Sequence, residues 1–300
     1  MVQGLPAADS ARRLTVAKVR DPNVARFPVT GLSAWGRVRR AAWLYRRCLG
    51  AQLRAVLEYE ADFWILVVAA ILSQCLGLVF IGAIFRRLPS IDGWHMWDVM
   101  LIYAMVFFAE GLGSLFAEGT WRISVFVNRG ELDRILVRPF SPLLQVMSSD
   151  LGTNGLGNIG LGSVLIVLAA LHSSIHWSLV SVASAIVLIG SGIAVKFGIS
   201  LASNCTAFWL KSPTARVAMT LHQLGDLCRY PITVYSVALR AVLLTALPFA
   251  FVSFVPASAL LHQGRYWWAG WFTPLVAVYV VAGGIWMFRK GLVLYEGTGN

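Results

Sequence analysis

Apolar residues along this chain gather into six long runs, at 63–85, 99–116, 151–171, 177–202, 231–248 with an apolar extension to 261, and 271–288. Most approach the roughly 20 residues that a helix needs to cross about 30 Å of hydrocarbon. A backbone buried in lipid has to satisfy its own N–H and C=O groups, which leaves helices or a closed barrel. Unbroken runs of this length select helices. The expected fold class is an all-α integral membrane protein with six transmembrane helices.

The polar intervals set the expected orientation. Eleven basic residues, from Arg12 to Arg54, precede the first run. The second connection carries Arg122, Arg129, Arg134 and Arg138, the fourth Lys211, Arg216 and Arg229, and Arg289 with Lys290 follows the last run. The opposite connections hold only Arg86, Arg87 and Arg265. Positive charge stays on the cytoplasmic side, so both termini are expected there. Trp94, Trp97, Trp177, Trp267, Trp268 and Trp271 then mark the outer interface and Trp64, Trp121 and Trp209 the inner one. The net charge of +11 sits beside the spans, a placement that suits anionic lipid headgroups and not nucleic acid. Cys48, Cys75, Cys205 and Cys228 have no metal-type spacing and are expected as free thiols.

Residues 1–30, with three prolines and no apolar period, read as a mobile cytoplasmic tail. Within 31–62, Val38, Ala42, Tyr45, Leu49, Leu53 and Val56 recur at helical spacing, with arginines on the remaining arc. That pattern predicts an amphipathic helix lying in the membrane interface or packed on the protein's own surface. The transmembrane domain is expected over 63–290, with a loop at 119–150 and a short tail at 291–300. In the fifth run, Pro248 and Pro256 each remove a backbone donor. A span is therefore expected from about 231 to 246, then a broken, re-entrant outer segment at about 248–262. Gly152, Gly155, Gly157, Gly160 and Gly162 point several ways around the third run, which suits either close packing or a helix that flexes.

No P-loop, H-E-x-x-H or GxSxG pattern occurs in the chain, and its histidines are scattered. No catalytic residue, metal site or cofactor is expected within it. Two ionisable residues fall inside spans, Glu110 and Lys196. Such charges cost at least about 2.5–3.5 kcal/mol at the bilayer centre. Either they face the bundle, pairing or lining a pathway, or Lys196 snorkels to the interface and Glu110 is buried protonated.

The loop between the second and third runs carries the most specific pattern. Leu132, Ile135 and Leu136 fall on one side of a short helix, with Glu131, Asp133 and Arg134 elsewhere, Gly130 before it and Pro139 and Pro142 after it. A short helix held between two spans suits docking, its apolar side filling a partner's groove and its charges setting register. The run Arg129-Gly130-Glu131-Leu132-Asp133, followed by Leu136-Val137-Arg138-Pro139 and Ser141-Pro142-Leu143, resembles the "RGxLDxxLxRPxxPL" loop of a six-span subgroup of type-2 ABC (ABC-2) transporter permeases. That subgroup includes bacterial exporters of viologens and antibiotic-like compounds. Arg229-Tyr230-Pro231 with Pro248 and Pro256 resembles the family's "YP … P … P" pattern.

The resemblance implies a dimer of six-span permeases, identical or related, in a bacterial plasma membrane, working with two cytoplasmic ATPase subunits that bind ATP and Mg. Arg129, Gly130, Glu131, Leu132, Asp133, Ile135, Leu136, Arg138 and Pro139 would form the coupling loop seated on the ATPase. The 31–62 helix would be the elbow helix, and Pro248 and Pro256 would belong to the re-entrant outer segment. The expected function is export of an amphipathic or hydrophobic small molecule or peptide, without an ATPase site in this chain. Two other classes stay open at this level: an ion-coupled secondary transporter using Glu110, and a membrane scaffold or lipid-modifying enzyme that does not transport. The first lacks an evident internal repeat. The enzyme lacks a catalytic cluster, and a scaffold leaves the intramembrane charges unexplained.

Overall fold

The computed structural model describes residues 33–175, 177–211 and 215–295. The expected tail at 1–30 and the last five residues of the 291–300 tail lie outside them. Among the described residues the chain is helical and contains no strand. In order come α1 (Ala34–Leu57), α2 (Glu60–Phe85), α3 (Met96–Ala117), α4 (Ile123–Asn128), α5 (Leu132–Leu136), α6 (Pro142–Met147), α7 (Asn154–His172), α8 (Leu179–Cys205), α9 (Ala207–Leu210), α10 (Arg216–Asp226), α11 (Val237–Ala241), α12 (Phe254–Leu261) and α13 (Thr273–Leu294). Among the described residues, five stretches are long and apolar enough to cross a membrane: Glu60–Phe85, Met96–Asn128, Asn154–His172, Leu179–Leu210 and Trp267–Leu294.

α3 is the axis of the bundle. His95 and Asp98 cap its start reciprocally, and Leu101 to Phe107 are all buried. Its neighbours come close because glycine removes the side chain at the contact. A Cβ on Gly111 would sit 2.7 Å from Gly155 O, and one on Gly155 would sit 2.7 Å from Gly111 O. Farther along, Gly162 lies against Phe108, so α3 and α7 run antiparallel with backbones nearly touching. Gly157 faces Val67 of α2 instead, and Gly160 faces open space. The glycines of α7 thus point several ways because they serve two different helices.

α8 and α13 are joined by the same device. Gly198 packs on Val280 and Val281, Gly284 on Gly198 O, and Gly291 on Phe208. The matched numbers rise together, so these helices are parallel. The chain between them must therefore return from one end of the bundle to the other.

That return departs from the expected fifth span. Where a continuous helix is predicted from 231 to 246, the chain forms a 3-10 turn at Ile232–Val234, then α11, then a π-turn at Val242–Ala246 closed by Leu247 N–H on Val242 O at 2.9 Å. Pro231 and Pro248 bracket these pieces and supply no N–H. Arg240 repairs part of the break, its Nε donating to Tyr235 O at 2.8 Å and Nη2 to Thr233 O. After Pro248 all thirteen residues from Phe249 to Leu261 are buried. Pro256 falls in the first turn of α12, where an N–H has no helical partner to lose. Ser253 Oγ donates to Cys228 O at 2.7 Å, tying this segment back to the end of α10.

A methyl group at Gly155 pushes first against the Gly111 carbonyl, which cannot rotate away, whereas one at Gly160 meets nothing within 4 Å. Alanine raises helix propensity by about 1 kcal/mol at either site, and overpacking costs about 1–3 kcal/mol. Gly155→Ala is expected to melt lower than wild type in a detergent-solubilised thermal denaturation, and Gly160→Ala at the same temperature or higher.

Candidate functional site

The two intramembrane charges meet. Glu110 lies in the middle of α3 and Lys196 in α8, with Lys196 Nζ 2.7 Å from Glu110 Oε2. Their side chains are 21% and 7% exposed, so the pair is withdrawn from its surroundings. At this distance the contact is a close ion pair. His222 of α10 comes from the other side, its Nε2 3.5 Å from Glu110 Oε1. Its ring also meets the edge of Trp121, centroids 5.3 Å apart, at the turn following α3. Three separate elements thus converge on one carboxylate.

The face of α10 that carries His222 continues to Asp226 and Arg229, four and seven residues on, which helical spacing places in line. Arg229 Nη2 bonds Asp226 Oδ1 at 2.8 Å while its guanidinium lies 5.1 Å from the ring centre of Phe107 on α3. A polar stripe on the broken segment is therefore docked against α3 over two turns. The sequence pattern marks Glu110 and Lys196 but treats His222 as an isolated interfacial histidine. The available signal was its register with Asp226 and Arg229. The cavity beside Ser114, Ser200 and His222 is only about 20 Å3, close to the size of one water molecule. This cluster joins three elements of the bundle.

The second group of expected residues lies at the end of the bundle where α3 runs through a 3-10 turn into α4. Gly130 adopts φ +71°, a left-handed turn that glycine makes without penalty, and α5 follows. Here the structure corrects one expectation. Leu132 and Ile135 do not face outward to a partner's groove; they are 1% and 8% exposed, packed with Ile123, Phe126, Val146, Phe208 and Phe288. The reason is local: five residues with two apolar anchors bury those anchors in the nearest core, their own. Leu136 is half-buried beside them. Arg129, Asp133, Arg134, Val137, Arg138 and Pro139 form the exposed face, with Gly130 and Glu131 at its edge. Gln145 of α6 holds the far side, Nε2 donating to Ile135 O at 3.0 Å and to Phe140 O at 2.7 Å.

Among the described residues no three His, Cys, Asp or Glu side chains are placed to hold a metal ion. The expected outer segment at Pro248 and Pro256 packs on α8, where a Cβ on Gly192 would meet Val252 O at 2.4 Å.

Apolar helices of spanning length, an ion pair sealed between them and a polar end-loop anchored from within define a multi-pass helical membrane protein. The family model described as "ABC-2 family transporter protein" matches residues 71–299, and the chain belongs to that family. It is accordingly the membrane component of an ABC transporter, a family that works with separate ATP-binding cassette ATPases. No curated protein and no solved structure matches the chain.

Removing one partner of a buried pair strands the other, at a cost of roughly 3–5 kcal/mol, whereas replacing both with neutral groups of similar size is often near neutral. Glu110→Ala is expected to lower the melting temperature markedly in detergent. The double variant Glu110→Gln with Lys196→Met is expected to recover most of the loss.

Proposed function

We propose that this chain is the permease of an ATP-driven exporter in a bacterial plasma membrane. It pairs with a second permease, identical or related, and is driven by two cytoplasmic ATPase subunits. The observation that carries the reading, beyond family membership, is the construction of the 119–150 loop. Leu132 and Ile135 bolt it to the bundle, and its exposed face carries Arg129, Asp133, Arg134 and Arg138 around Val137 and Pro139. A rigid projection with a charged face transmits a push; a loose loop dissipates it.

The distribution of arginines supports a cytoplasmic position for this end of the bundle and for both termini. The sixth crossing is then made by the broken path from α10 to α12, whose freed backbone groups are met inside the protein by Arg240 and Ser253. ATP-driven closure of the ATPase subunits would move the loop and, through α3, the Glu110–Lys196–His222 junction that holds the broken segment. Export of an amphipathic or hydrophobic small molecule or peptide suits a pathway between apolar helices. The ion pair also answers the cost of Glu110 within the bundle, so no ion gradient has to be invoked to explain that residue.

The test is co-expression with candidate ATPase subunits, followed by co-purification and measurement of ATP hydrolysis. A stable complex is expected, and Arg134→Glu with Arg138→Glu is expected to lower its activity at least tenfold, about 1.4 kcal/mol of coupling, while leaving membrane insertion intact. Leu132→Asp and Ile135→Asp should instead destabilise the permease itself, because each buries a charge in its core. Absence of any co-purifying ATPase would sink the proposal.

A further inference from the structure

α1 is the element that the proposed transport cycle leaves without a task. Arg37, Arg39, Arg40, Arg46, Arg47 and Arg54 are all exposed on it, and no described carboxylate pairs with any of them. Arg47 instead lies over the Trp43 ring, 4.3 Å from its centre. Three of the six, Arg40, Arg47 and Arg54, are spaced by seven residues, which sets them almost in line along the helix. On the opposite line Tyr45, Leu49, Gln52 and Val56 are half-buried against the protein. Between the two lines an arc of Trp35, Ala42, Leu53 and Leu57 stays exposed. The apolar stripe legible in the sequence is thus divided, one part docked on the bundle and one part open.

The docked line holds the 119–150 loop at both ends. Tyr45 Oη donates to Phe116 O, immediately before the loop, and Gln52 Nε2 donates to Ser149 O at 3.0 Å, where it finishes. Burial pushes the Tyr45 hydroxyl up to about 12, so it remains a donor throughout the physiological range. Only Glu58 and Tyr59 separate α1 from α2, whose apolar length reads as a span. α1 is therefore confined to the plane where that span leaves the membrane.

We propose that α1 is a binding site for anionic phospholipid headgroups, and that headgroups bound along its arginines steady the 119–150 loop through Tyr45 and Gln52. A helix with exposed guanidinium groups that no described carboxylate pairs, open apolar side chains between them and a spanning helix attached at its end is complementary to an anionic lipid surface: phosphates on the arginines, acyl chains on the arc. The role of the loop as the ATPase contact rests on the proposed function. The lipid site and its mechanical link to the loop do not.

The test uses the full purified chain in nanodiscs of phosphatidylcholine, with and without phosphatidylglycerol. Native mass spectrometry reads retained lipid, and hydrogen exchange reads the peptides covering 129–139. Phosphatidylglycerol is expected to be retained several-fold over its share of the disc and to slow exchange in the loop. The triple variant Arg40→Gln, Arg47→Gln, Arg54→Gln should lose both effects while melting like wild type. Gln52→Leu should keep the lipid enrichment and lose the slowing. Retention at the bulk ratio, or enrichment unchanged in the triple variant, would overturn the site. Enrichment with loop exchange indifferent to phosphatidylglycerol would overturn the link, and equal slowing by inorganic phosphate in phosphatidylcholine discs would overturn the lipid assignment. Each of these outcomes is independent of whether an ATPase co-purifies.

Discussion

A carboxylate and an ammonium meet at 2.7 Å between α3 and α8, both withdrawn into the bundle, and much of the architecture follows from that meeting. Neither charge is stable there alone, so α3 and α8 are held at one height relative to each other. The glycine contacts allow these helices and their neighbours to approach, but packing alone permits sliding; the pair selects a register. His222 then extends the constraint to a third element, α10, which Arg229 also docks on α3.

That third element is the unusual part of the fold. Because α8 and α13 are parallel, the chain between them has to cross the body of the protein, and it does so in short pieces. Each break frees backbone groups that lipid cannot satisfy. The protein answers from within: Arg240 takes the carbonyls of Thr233 and Tyr235, Ser253 reaches Cys228 O, and residues 249–261 are wholly enclosed. A path built this way can rearrange without unwinding a whole helix, which suits the part of a permease that has to open.

Much of this was legible in the sequence, for identifiable reasons. Five apolar runs became long helices because their length and composition leave no other solution in lipid. The fifth run did not form a single helix: between Pro231 and Pro248 it folds as a 3-10 turn, α11 and a π-turn, with Arg240 donating to the carbonyls of Thr233 and Tyr235, and hydropathy does not register those breaks. Glu110 and Lys196 were visible as charges out of place; that they touch depends on the packing of α3 on α8, which no local pattern encodes. His222 was missed because it lies in a polar helix, where a histidine draws no notice, and that helix turns inward. The loop at 129–139 was located by its glycine, prolines and charge pattern, but the direction of its apolar side was not. An apolar face on a five-residue helix suits a partner's groove and its own core equally well, and the core is nearer.

In the proposed complex the charged face of α5 and the residues after it touches an ATPase. The most direct measurement is a site-specific cross-link. With Cys48, Cys75, Cys205 and Cys228 replaced by serine or alanine, Arg138→Cys would be joined to cysteines introduced on the surface of the co-expressed ATPase subunit, with and without ATP. The account predicts a cross-link at Arg138 whose yield changes with nucleotide, and none from Arg265→Cys at the opposite end of the bundle. A cross-link from Arg265→Cys, or none from Arg138→Cys in a complex that hydrolyses ATP, would contradict it.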